Sequence, residues 1–124
     1  MNVNNSSSQS FQGVKYYNFS KTVVNTYFNY KIDGDGFLSK NRVAKILNQQ
    51  KDNPNHIILD YRGNDDGKTV KEFAIVNGKE FVKRPFEKIS SMLKRAAKYA
   101  DSLRGKEVAE IPYSDRLDDF VLRQ

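Results

Sequence analysis

The sequence predicts a small single-domain α+β protein, and three observations carry that prediction. Strand-like runs flank an Asn-Gly pair at 77–78, and a stretch after Pro85 repeats apolar residues at three and four. The third is length: 124 residues with 38% hydrophobic content suit one domain that buries about two-thirds of its unfolded surface. The expected architecture is an antiparallel sheet of about four to five strands, three of them a meander. A long C-terminal amphipathic helix and one or two shorter helices should pack on it.

The N-terminal stretch MNVNNSSSQS is Asn- and Ser-rich and offers little to bury, so residues 1–10 are expected to form a disordered tail. The α+β domain would then span 11–112. From Val24 the pattern alternates, with Val24, Thr26, Phe28, Tyr30 and Ile32 on one side and Asn25, Tyr27, Asn29 and Lys31 on the other. β-Branched and aromatic residues dominate there, so 22–32 reads as a strand, with a shorter one at 14–19 beside it. Ser39 then reads as the N-cap of a helix that turns Val43, Ile46 and Leu47 inward and ends before Asp52-Asn53-Pro54-Asn55.

The meander is HIILDYR, a loop at 63–67, KTVKEFAIV, Asn77-Gly78 and KEFVKR. Asn and Gly both tolerate the positive φ of a type I′ turn, which makes this the firmest local signal in the chain. Phe86, Ile89, Leu93, Ala96, Ala100 and Leu103 mark an amphipathic helix over 86–103, with Gly105 as its stop. The final segment, 113–124, offers Ser114 as an N-cap and Leu117, Phe120 and Val121 as one apolar edge. It reads as a short helix docking on the domain or on a partner.

Composition excludes several functions. There is no Cys and one His, so neither a thiol nucleophile nor a Cys/His metal cluster can be built. No window approaches a membrane span and the start lacks the pattern of an export signal, so a cytoplasmic protein without membrane contact is expected. The glycosylation patterns at Asn5 and Asn18 have no export route to use. No phosphate loop, nucleophile elbow or triad order appears, and no catalytic residue, metal site or cofactor is assigned. A metal-dependent nuclease built on Asp33, Asp35 and Asp60 or Asp66 is the weakest of the readings weighed.

The stretch KIDGDGFLSKNR, 31–42, resembles half a calcium loop. With Gly36 at the sixth position, Asp33 and Asp35 fall correctly at three and five, but positions one and twelve become Lys31 and Arg42. Two cations replace the essential carboxylates, so the stretch reads as a strand-to-helix corner.

Net charge is +6, with 21 Lys and Arg against 15 Asp and Glu, which favours polyanionic partners. Residues 85–105 carry Lys88, Lys94, Arg95, Lys98 and Arg104 against Glu87 and Asp101, a net +3, whereas 106–124 carry a net −2. Arg84 and Lys88 extend the basic stripe of Lys94, Arg95 and Lys98 toward the helix start. Aromatics crowd 16–30, and on the strand reading Tyr27 shares a polar face with Lys31, near Lys15 and Tyr16.

Two functions stay open on this pattern. One is a non-catalytic protein that holds single-stranded DNA or RNA on the Tyr-rich strand and basic helix, through Lys15, Tyr16, Tyr27, Lys31, Arg84, Lys88, Lys94, Arg95 and Lys98. The other is a protein-interaction module, an adaptor or inhibitor of a larger complex, docking by the aromatic face or the acidic C-terminal helix.

Overall fold

In the computed structural model, which describes residues 12–18, 23–108 and 116–124, the meander forms as its turn chemistry requires. β2 (Ile57–Gly63), β3 (Val70–Val76) and β4 (Lys79–Val82) pair antiparallel, with Leu59 opposite Ala74 and Ala74 opposite Phe81. Asn77 and Gly78 take φ 51° and 83°, both positive as a type I′ turn demands.

The α+β class holds, but the sheet is mixed rather than antiparallel. β1 (Val14–Tyr17) runs parallel to β2, with Val14 opposite Ile57, and the sheet order is β4-β3-β2-β1-β5. The reason lies in the connection: two helices, α1 (Val23–Asp35) and α2 (Phe37–Gln50), carry the chain back to the end from which β1 started. A crossover of that kind gives parallel strands.

The expected strand at 22–32 is therefore a correction, since these residues lie in helix α1. Val24, Phe28 and Ile32 are buried, as both periods require, because a spacing of four fits a strand face and a helix stripe alike. Thr26 and Tyr30 separate the two, and both are exposed. Local β propensity is a weak preference that packing overrode. Asn25 and Asn29, one turn apart, then grip the chain end: Asn25 Nδ2 and Asn29 Nδ2 both donate to the Val121 carbonyl, and the Val121 N–H donates to Asn25 Oδ1 at 2.8 Å.

The C-terminal segment is a second correction. Among its described residues, 117–119 form strand β5 (Leu117–Asp119) rather than a helix. The outer edge of β1 has a row of backbone groups to satisfy, and β5 pairs there antiparallel with Tyr17 opposite Leu117. The Phe120 N–H donates to the Val14 carbonyl at 2.9 Å, and the Phe120 ring enters the core. The tail expected at 1–10 and the N-cap expected at Ser114 lie outside the described residues.

The amphipathic helix after Pro85 is α3 (Ile89–Ser102), fourteen residues long and equal in length to α2. It starts three residues later than its apolar repeat suggests, because 84–87 form a turn. Its stop is as expected, with Gly105 at φ 82°. All three helices lie over one face of the sheet, where Val14, Leu59, Ala74, Val76 and Phe81 meet Phe28, Ile32, Leu93 and Ala96. α3 rests on β3 and β4, α1 packs on β2, and α2 packs against both other helices. Among the described residues no helix is long and apolar enough to cross a membrane.

Candidate anion cleft between two parallel helices

The corner at 31–42 sets the geometry of the site. It joins helix to helix, not strand to helix: α1 ends at Asp35, Gly36 takes φ 101°, and α2 begins at Phe37. A φ of that sign is cheap only for glycine. Gly36 is therefore the helix N-cap, and Ser39 sits buried inside α2. The two carboxylates of the supposed calcium loop are already engaged. Asp33 Oδ1 lies 3.0 Å from Lys40 Nζ, and Asp35 Oδ2 accepts the Ile89 N–H at 2.9 Å.

That second bond fixes the start of α3 beside the start of α2. At the far end, Gln50 Nε2 donates to Asp101 Oδ1 at 3.0 Å and Arg104 Nη2 donates to the Gln49 carbonyl at 3.1 Å. The two helices therefore run parallel, held at both ends. Their N-termini and the positive ends of both helix dipoles point the same way.

Between them opens a cleft of about 540 Å³, lined by Arg42, Lys45, Ile46 and Gln49 from α2 and by Ser90, Ser91 and Lys94 from α3. Positions 42, 45, 46 and 49 recur at three and four, so they form one stripe of α2 beside its buried stripe of Ser39, Val43, Ile46 and Gln50. The lining holds three cations and no carboxylate. Arg42, Lys45 and Lys94 are exposed and have no ion-pair partner among the described residues. Ser90 is 2% exposed, yet its Oγ has no hydrogen-bond partner among the described residues. A buried hydroxyl left in that state costs about 1–3 kcal/mol. Beyond the C-terminal end of the lining, Asp52 and Asp101 are both bound by Arg104.

The residues expected to bind fall into two groups. Lys94 lines the cleft, Lys98 stands one turn further along α3 and exposed, Lys88 caps α3, and Arg84 lies exposed in the turn before it. The others serve the fold. Lys15 is 1% exposed and forms an ion pair with Asp119 across β1 and β5. Tyr16 is buried in the core, and Tyr27 stacks on Tyr61 with centroids 4.0 Å apart. The Tyr27 hydroxyl donates to Glu72 at 2.7 Å, and burial together with that carboxylate holds it protonated far above the usual tyrosine range. Lys31 Nζ lies 3.6 Å from the same Glu72. No tyrosine platform exists on α1, because its inward side faces β2. Asp60 lies on β2, opposite Phe73 on the face away from the helices, so the carboxylates of the nuclease reading are not brought together. Among the described residues no three His, Cys, Asp or Glu side chains form a possible metal site.

Arg95 also leaves the basic stripe. Its guanidinium forks onto Glu87, with Nε 2.9 Å from Oε2 and Nη2 2.7 Å from Oε1, while Nη2 also donates to the Val82 carbonyl. The Arg95 hydrogen bonds hold the Glu87 carboxyl below its usual range. A depressed carboxylate stabilises the fold above its unfolded pKa, about 4.3 for Glu, and that contribution fades as pH falls through the lower folded value. Glu87→Gln should thus lower stability by about 1–2 kcal/mol at pH 7. The gap in melting temperature from the wild type should close as pH falls below about 4.

Fold and site together define a small α+β protein with a cationic cleft between parallel helices. Compared with protein-family models, curated proteins and solved structures, the chain matches none.

Proposed function

We propose that this protein binds nucleic acid, holding the phosphate backbone in the cleft between α2 and α3 without catalysis. The observation that carries the reading is the lining itself: Arg42, Lys45 and Lys94 converge there with no carboxylate among them. Arg42 offers a planar fork that matches a phosphate, and the two lysines add point charges. Ser90 Oγ and Ser91 Oγ supply neutral donors at the end where both helix dipoles are positive. Lys98 and Lys88 continue the track along α3, so successive phosphates of one strand could be held. Cytoplasmic placement belongs to this same proposal.

The test is a fluorescence-anisotropy titration of a labelled single-stranded oligonucleotide at several salt concentrations. Each neutralised phosphate of a single strand contributes about −0.7 to the slope of log K against log salt. Three contacts in the cleft and one or two along Lys98 and Lys88 give an expected slope of about −3. A slope near zero, or no binding at low salt, would refute the proposal.

A further inference from the structure

We infer that Phe86 is a base-stacking residue, which makes single-stranded nucleic acid the preferred occupant of the cleft; this inference rests on the proposed function. The Glu87 N–H donates to the Arg84 carbonyl at 3.0 Å and closes a four-residue turn with Pro85 second and Phe86 third. Phe86 has φ 65°. Pro followed by a residue of positive φ marks a type II turn, whose third position belongs by preference to glycine. A phenylalanine there bears a backbone cost, and its ring recovers nothing from packing, since Phe86 is 103% exposed. The fold therefore holds a large apolar ring in water at a position that would be more stable without it.

The turn itself is firmly held. Glu87 accepts the Arg84 N–H at 2.8 Å through Oε1, and both its oxygens take the Arg95 fork. Pro85 removes further freedom. Phe86 stands three residues before the start of α3 and four before Ser90, which lines the cleft near the helix N-termini. Phe37, the first residue of α2, is 75% exposed at the same end. Toward the opposite end stand the carboxylates Asp52 and Asp101, both paired with Arg104, so negative charge lies away from the aromatic end. Charge complementarity thus selects the occupant of the apolar surface: bases attached to phosphates already held by Arg42, Lys45 and Lys94. Every base has a face on which an aromatic ring can stack, whereas a duplex keeps its bases stacked on one another.

Phe86→Gly tests this in the full chain without endangering the fold. Replacing the ring with the residue the turn prefers should raise the melting temperature by about 3–5 °C. The same variant should bind a (dT)20 oligonucleotide roughly tenfold more weakly. Its affinity for an abasic 20-mer of equal charge should match that of the wild type, and wild-type protein should prefer (dT)20 to both the abasic strand and a duplex. Phe37→Ala should weaken (dT)20 binding in the same direction. Unchanged (dT)20 affinity in Phe86→Gly, with binding still lost on removing the cleft cations, would overturn the stacking role alone and leave the ring to a protein partner. Wild-type protein that binds none of these strands would overturn the proposed function and this inference together.

Discussion

Replacing Arg42, Lys45 and Lys94 together with alanine should lower affinity for a single-stranded oligonucleotide on the order of 10²-fold at about 0.1 M salt. The magnitude follows from counterion release. A slope of about −0.7 per phosphate makes each contact worth about fivefold at 0.1 M relative to 1 M salt, and three contacts multiply. The salt dependence should flatten as well, by about 2 in slope, because three phosphates are no longer neutralised. All three side chains are exposed on helices and alanine is the best helix former, so stability should stay within about 0.5 kcal/mol. A control variant carrying alanine at Lys51, Lys68 and Lys106 loses the same net charge outside the cleft. If affinity depended only on the +6 of the whole chain, both variants would weaken equally. The cleft reading requires the first to fall much further.

The parts of this fold that were legible in the sequence are those with local causes. Asn77-Gly78 specifies its own turn, and the apolar repeat of α3 has no rival period. α1 departs from the strand expectation because Val24, Phe28 and Ile32 satisfy two periods at once, leaving the decision to Thr26 and Tyr30, whose exposure no local rule dictates. The C-terminal strand departs from the helix expectation for a related reason. Leu117, Phe120 and Val121 have helical spacing, yet the unpaired edge of β1 offers hydrogen bonds that only an extended partner can make.

The site divides along the same line. Lys94, Lys98 and Lys88 were readable as a stripe on one helix, because helix spacing is a property of sequence. Arg42 and Lys45 show their spacing with Gln49 in the sequence, but nothing local says that α2 lies parallel to α3. The bonds from Ile89 to Asp35 and from Gln50 to Asp101 decide that, across 54 and 51 residues. Lys15, Tyr16 and Tyr27 were assigned to a binding face that exists only if 22–32 is a strand. Once α1 is a helix, Tyr27 turns toward Tyr61 and Glu72, while Phe86, which the apolar repeat places in the core, is left exposed.

Phe120→Ala should be the most damaging single substitution near the chain end, costing about 3–5 kcal/mol. For a chain of this size that is a fall of roughly 10–20 °C in melting temperature. The ring is 5% exposed and belongs to the same core as Val14, Phe28 and Leu59. Alanine would leave a void in the core beside Val14, and the loss would not stop there. The Phe120 N–H holds Val14, and the backbone of 121–123 is gripped by Asn25 and Asn29, so a loosened residue 120 weakens both attachments. Val121 is the useful comparison, because it is 62% exposed and Val121→Ala should change stability by no more than about 0.5 kcal/mol. A helix docking on a partner would give the reverse pattern, with little change in melting temperature for either variant and partner binding lost for both. Thermal unfolding of the two variants followed by circular dichroism separates the alternatives, since only a strand that completes the sheet makes residue 120 indispensable and residue 121 dispensable.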